Sequence, residues 1–336
     1  MTFRVTTRQQ STSANLDGTI YVLDSSTGDR AEVWPALGFN CYQWKTNRSG
    51  QVLDLLYADP QLFDNGRPTR SGIPILFPFP NRIREGRFPW SGRTFQLPLN
   101  DSTKKNAAHG FVCRSPWRVV DQGADASSAW LTGEFQASKD NPDERPLWPA
   151  DYVLRVTYRL LAGRLRVEAD VTNPDRGPLP FGLGYHPYFK VPFAPGGTAD
   201  DCLIQVPAKS FWVLEESLPT GEQRPVDAAR DFTRPRPFGG VSVDDVLTDL
   251  QAGGPAPPAG LRWNGTLRQG QHELRVFSSP DFRELVVFTP PHRQAFCLEP
   301  YTCPTDAINL QSRGLDVGWK ALPPGGRWSS VVELAV

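Results

Sequence analysis

Leu154, Val156, Tyr158 and Leu160 alternate with Arg155, Thr157 and Arg159. Beyond Ala162-Gly163 the same period resumes, with Leu165, Val167, Ala169 and Val171 alternating with Arg164, Arg166, Glu168 and Asp170. Successive side chains of a strand point to opposite faces, whereas a helix repeats its face every three or four residues. A period of two held on both sides of a glycine turn therefore predicts a β-hairpin with one buried face. Runs of the same kind occupy residues 19–23, joined through Thr27-Gly28 to residues 30–34, and residues 274–278, 285–289 and 331–336. No window of helical length carries an i, i+3, i+4 apolar stripe free of proline or glycine. The 29 glycines and 33 prolines punctuate the chain often enough for many short strands. The pattern predicts an all-β fold.

Proline-rich stretches at 191–197, 234–240 and 253–260 are expected as surface loops, and none has the length or compositional shift of an interdomain linker. No repeat of fixed period is present, which argues against a propeller. The 336 residues exceed the commonest domain size, yet all-β domains of well over two hundred residues occur as single units. Residues 1–336 are therefore expected to form one domain, a large antiparallel β-sandwich.

Lysine plus arginine equals aspartate plus glutamate at 36 each, so no basic field recruits nucleic acid or an acidic membrane. Ten tryptophans, 19 phenylalanines and 8 tyrosines against one methionine suit rigid sheet surfaces and sugar-stacking pockets. Most of these aromatics are expected in the core. The five cysteines, Cys41, Cys113, Cys202, Cys297 and Cys303, are odd in number and scattered, and their spacing indicates neither a disulfide framework nor a zinc site. Met1-Thr2-Phe3-Arg4-Val5 leads into polar sequence without an apolar signal region, and no stretch approaches the ~20 apolar residues of a membrane span. A cytoplasmic location is expected, with a small molecule rather than nucleic acid or membrane as partner. No pattern specifies an oligomeric state.

Two segments carry groups suited to proton transfer. His186 sits in Gly184-Tyr185-His186-Pro187-Tyr188-Phe189 and Glu299 in Cys297-Leu298-Glu299-Pro300-Tyr301, each placed by the sequence at an apolar, proline-bounded strand end. Apolar neighbours desolvate a carboxylate and raise its pKa, so an imidazole and a carboxylate across one pocket can pass protons near neutral pH without a metal or cofactor. Each residue has a blander reading: a buried histidine bonded to backbone, and a surface strand carboxylate. Asn81-Arg82-Ile83 ends the apolar stretch that begins at Gly72 and offers amide and guanidinium donors; an ordinary strand-end salt bridge is the alternative. His109 precedes Gly110-Phe111. Asp244 and Asp245 are adjacent, and capping is the plain role for either. His272 and His292 match no functional pattern and stand at no metal-ligand spacing, so both are expected to be structural or solvent-exposed, with a peripheral place at the site open to His292 through its nearness in sequence to Glu299.

In order and spread, His-Pro-Tyr-Phe at 186–189, Leu-Glu-Pro at 298–300, Asn-Arg-Ile at 81–83 and His-Gly-Phe at 109–111 resemble the aldose 1-epimerase (galactose mutarotase) family across nearly the whole chain. The resemblance implies a mutarotase-type supersandwich whose concave sheet carries a sugar site. It also implies interconversion of the α and β anomers of a hexose without cofactor or metal. In that scheme Glu299 is the base at the C1 hydroxyl and His186 the acid at the ring oxygen, while Asn81, Arg82, His109 and one of Asp244 and Asp245, with the register favouring Asp244, bind the sugar. Arg70-Ser71-Gly72-Ile73-Pro74 resembles instead a segment of the hexose-6-phosphate 1-epimerase branch, in which the arginine faces the phosphate, so that activity is the nearest alternative. A non-catalytic carbohydrate-binding domain on the same fold would need hydroxyl partners but no acid–base pair. A glycoside hydrolase would call for two carboxylates in such contexts, and only one is found.

Overall fold

A computed structural model of the chain describes all 336 residues. Its strands form a nine-stranded sheet, an eight-stranded sheet, a five-stranded sheet near the N-terminus and three two-stranded ladders, and every ladder is antiparallel. The longest of three short helices, Ala307–Ser312, has six residues. No helix is long and apolar enough to cross a membrane.

The predicted hairpin is Val153–Leu161 paired with Arg164–Thr172, turning at Ala162-Gly163. Leu154, Val156, Tyr158 and Leu160 are fully buried together with Leu165, Val167, Ala169 and Val171, while the charged residues between them reach solvent. Burying each Leu or Val contributes roughly 1.5–3 kcal/mol, and a slip of one residue would exchange the two faces. The C-terminal strand Arg327–Ala335 inserts between Arg164–Thr172 and His272–Ser278, so the nine-stranded sheet joins distant parts of the chain.

The eight-stranded sheet runs in the order Leu218–Pro225, Ala208–Glu215, Asp244–Leu250, Glu284–Phe288, Ala295–Tyr301, Gly184–Tyr185 and Ile75–Leu76, with Tyr188–Lys190 also paired to Ala295–Tyr301. Phe296 and Leu298 enter a core cluster of 65 buried residues together with Leu285, Val287 and the buried face of the hairpin. The main core thus lies between the two large sheets, and the alternate residues Cys297, Glu299 and Tyr301 point away from it.

Two of the proline-rich stretches are more than surface loops. Val191, Phe193 and Ala194 are buried, and the buried Gln269 side chain accepts from the Phe193 and Ala194 amides at 2.9 Å, satisfying backbone that a buried loop would otherwise strand. Arg236–Pro237 forms the edge strand of the nine-stranded sheet, where the missing proline N–H costs no ladder bond, and Phe238 behind it is fully buried. Residues 253–260 lie largely exposed without regular structure.

Candidate active site

Glu299 lies inside the strand Ala295–Tyr301, not at its end, and Pro300 continues the strand. His186 occupies the break between Gly184–Tyr185 and Tyr188–Lys190. Both short strands pair with the Glu299 strand, Gly184 opposite Tyr301 and Tyr188 opposite Cys297. Midway between these pairs the register sets His186 opposite Glu299, and the imidazole Nδ1 is 3.3 Å from the carboxylate Oε1. Gly184 is required by the packing, since a Cβ there would lie 2.5 Å from the Tyr301 ring.

Each member of the pair is held by an aromatic neighbour. The Tyr301 hydroxyl donates to Glu299 Oε2 at 2.5 Å. The His186 ring stacks on Tyr188 with centroids 4.5 Å apart and planes 5° from parallel, and Tyr188 is anchored by donating its hydroxyl to the Thr69 carbonyl at 2.6 Å. Glu299 is 1 % and His186 7 % exposed. Burial pushes the Glu299 carboxyl well above the usual carboxylate range, against the hydrogen bond from Tyr301, and pushes the His186 imidazole down to about 3. Both effects favour neutral forms, so the pair holds one proton between its two groups.

A second ladder brings the remaining groups in. Arg82–Arg84 pairs with Asn106–Ala108, with Ala108 opposite Arg82. One step further, the His109 amide donates to the Asn81 carbonyl at 2.7 Å. Asn81, His109 and Gly110 all have positive φ, at 54°, 65° and 64°, so the chain curls at this point. A Cβ on Gly110 would lie 2.0 Å from the Phe77 carbonyl oxygen, which explains the glycine after His109. The His109 and His186 rings meet edge to face at 5.9 Å, and burial pushes His109 well below its ordinary value. Arg82 donates to Asn81 Oδ1 at 2.9 Å and lies 3.7 Å from Asp101. Against burial, four hydrogen bonds from Thr103, Lys105 and Asn106 hold the Asp101 carboxyl down at about 2.

His186, Glu299, Asn81, Arg82, His109 and Asp244 all line one cavity of about 570 Å³, with Arg70, Tyr188, Phe288, His292 and Tyr301. Asp244 is the aspartate that faces it. Asp244 is opposite Phe288 in the sheet, whereas Asp245 is held by Arg230 at 2.8 Å. Asp244 reaches solvent through the cavity mouth, yet desolvation by the surrounding wall still raises its pKa, partly countered by Arg82. His292, expected to be structural or exposed, is exposed but lines the cavity and stacks on Tyr57 at 4.5 Å. His272 lies elsewhere, hydrogen-bonded to Gln51. A second cavity, of about 520 Å³, lies on the outer face of the hairpin sheet among Glu134, Arg155, Asp170 and Arg327, and holds no histidine.

The sequence reading missed Tyr301, which lines the cavity, and Cys297, which shares its strand face with Glu299. The signal for both was the strand period itself: residues two before and two after Glu299 share its face. Asp101 carried no such signal, because its contact with Arg82 depends on the loop that closes the second ladder. All five cysteines are free and buried. Chemically, the cavity offers an acid–base pair on its floor and amide, guanidinium, imidazole and carboxylate groups around it, an inventory that matches a polyhydroxylated ligand.

A sequence model described as Aldose 1-epimerase matches residues 33–335. The Escherichia coli (strain K12) protein YphB is 32% identical over 275 residues, covering 78% of this chain and 82% of that one. Galactose mutarotase of Rattus norvegicus is 30% identical over 167 residues, 47% of this chain and 44% of its own length. Among solved structures, a galactose mutarotase-like protein from Clostridium acetobutylicum aligns with a TM-score of 0.85 over 99% of this chain and 98% of that one, at 23% identity, a likeness of fold.

Proposed function

The chain belongs to the aldose 1-epimerase family, and on that premise we propose that it interconverts the α and β anomers of an unphosphorylated hexose by proton exchange at Glu299 and His186. The observation that carries this reading is the pair itself: a carboxylate and an imidazole 3.3 Å apart, nearly desolvated and lining a cavity large enough for a sugar. Ring opening proceeds from the form of the pair in which the shared proton sits on His186: Glu299 takes the proton of the C1 hydroxyl while His186 gives one to the ring oxygen. The C1–O5 bond breaks and an aldehyde forms. Rotation about C1–C2 turns the other face of the carbonyl to the ring-oxygen hydroxyl. Reclosure then returns the protons, with His186 as base and Glu299 as acid. A pair that holds one proton can begin from either side, as a reversible reaction requires. Asn81, Arg82, His109 and Asp244 hold the sugar hydroxyls, and a carbohydrate-binding domain without catalysis would have no use for the buried pair. The test is polarimetric. Freshly dissolved α-glucose and α-galactose should lose rotation faster with the protein than in buffer, and an unchanged rate for these and related aldoses would refute the reading.

Arg70 favours a second reading, hexose 6-phosphate as the substrate. Its exposed guanidinium lines the same cavity and takes part in no salt bridge, and such a group binds a phosphate dianion through paired donors. Comparing kcat/KM for glucose and glucose 6-phosphate decides between them. On the phosphate reading Arg70→Ala raises KM for the phosphorylated sugar by roughly one to two orders of magnitude, the loss of a charge-assisted hydrogen bond. On the free-sugar reading wild type prefers glucose and Arg70→Ala changes little.

A further inference from the structure

Cys297 has no part in the proton exchange, yet it stands beside both groups that do. It is two residues before Glu299 on one strand, fully buried, and projects to the same face. Its ladder partner, Tyr188, is two residues after His186. The thiol, carboxylate and imidazole therefore converge, with ligand atoms all within 4.8 Å of one another, and no other group of three or more histidine, cysteine, aspartate or glutamate side chains in the chain does so. As an apolar filler Cys297 also packs against Tyr57, Tyr188 and Ala295, but packing alone does not call for sulfur next to two further donors.

Sulfur, nitrogen and carboxylate oxygen are the donor set of zinc and cations like it. Zinc–ligand bonds of about 2.0–2.3 Å in a tetrahedron set the ligand atoms roughly 3.3–3.7 Å apart. The His186–Glu299 separation of 3.3 Å already meets that spacing, and the widest separation in the group exceeds it by only about 1 Å. His186 Nδ1 is buried and makes no hydrogen bond, while Glu299 is oriented from behind by Tyr301, the kind of outer-shell partner that ligating carboxylates have. The cavity that both residues line gives a cation its way in.

We propose that His186, Cys297 and Glu299 form a binding site for a zinc-class divalent cation, and that this cation and the sugar exclude one another. Sulfur coordinates as thiolate, the imidazole neutral and Glu299 as carboxylate, so binding releases to solvent both the thiol proton and the proton that the pair shares. Exclusion of sugar rests on the function proposed above; binding of the cation does not.

Cobalt(II), which reports sulfur ligation by thiolate-to-metal charge-transfer absorption, is the probe. Wild type should bind one equivalent with that absorption, excess glucose should displace it, and Cys297→Ser should abolish it although four other cysteines remain. Zinc should inhibit mutarotation reversibly, and Cys297→Ser should weaken that inhibition by about a hundredfold or more, exceeding the loss of an outer-shell partner. Wild type without the absorption, or Cys297→Ser that keeps it or is inhibited as wild type is, overturns the site. Should Cys297→Ser fail to fold, X-ray absorption of zinc-loaded wild type gives the answer: one sulfur at about 2.3 Å with nitrogen and oxygen supports the site, and any other sulfur count overturns it. The cobalt spectrum needs no turnover. A protein that binds cobalt but does not mutarotate contradicts the epimerase reading alone, and an active protein without the absorption contradicts the site alone.

Discussion

At the scale of the residue, Glu299 is under two opposed influences. Burial favours its protonated form, and the Tyr301 hydroxyl 2.5 Å away favours the carboxylate. Removing that hydroxyl leaves the burial penalty unopposed and destabilises every state in which Glu299 is ionised. Tyr301→Phe is therefore expected to move the limb of the pH–rate profile that Glu299 sets to higher pH, by up to about one to two units for a hydrogen bond to a charged group. A profile that stays in place, or moves to lower pH, would show that Tyr301 does not tune the base. The shift is informative because a merely structural loss lowers the rate at all pH values without moving the profile.

At the scale of the element, register does the positioning. Val246, Val286 and Glu299 form one row across the sheet and Asp244, Phe288 and Cys297 the next, which the chain completes with His186 and Tyr188. The turn that carries His109 depends on Gly110. With φ at 64° and the Phe77 carbonyl in the way of any Cβ, Gly110→Ala should lower the melting temperature, since left-handed backbone alone costs about 1–2 kcal/mol. It should also raise KM, because His109 moves with the turn; wild-type stability and KM together would contradict the assignment. Glu284 begins the strand beside Glu299. It is buried, accepts from Trp212 Nε1 at 3.1 Å, and burial pushes it up to about 7, against Thr248, Trp212, Arg283 and Arg262. A carboxyl whose folded pKa is raised contributes stability that is fully present below the unfolded value near 4.5 and is lost as pH rises through 7. Glu284 alone should thus contribute a decline of about 3 kcal/mol in wild-type stability across that interval. Glu284→Gln should remove that decline, and denaturant titrations at pH 4.5 and 7.5 check it: equal declines in the two proteins would exclude Glu284 as its source.

At the scale of the whole molecule, local patterning was legible and long-range pairing was not. The hairpin around Ala162-Gly163 could be read directly, because a period of two and a turn are properties of neighbouring residues. The edge strand Arg236–Pro237 could not, because a proline-bearing pair is a strand only by virtue of Leu203 and Ile204 beside it. His186 and Glu299 stood out through their apolar, proline-bounded contexts, but their meeting is a matter of register between segments more than one hundred positions apart. For the same reason Cys297, unremarkable by spacing, comes to lie beside an imidazole. The account as a whole depends on that one cross-strand meeting being a proton-exchanging pair. Polarimetry of fresh α-glucose or α-galactose with wild type and Glu299→Gln tests it most directly. The expected result is clear acceleration by wild type and a fall of at least ~10²-fold in the variant, with sugar binding changed far less because the amide still hydrogen-bonds. Near-normal turnover by Glu299→Gln would contradict it.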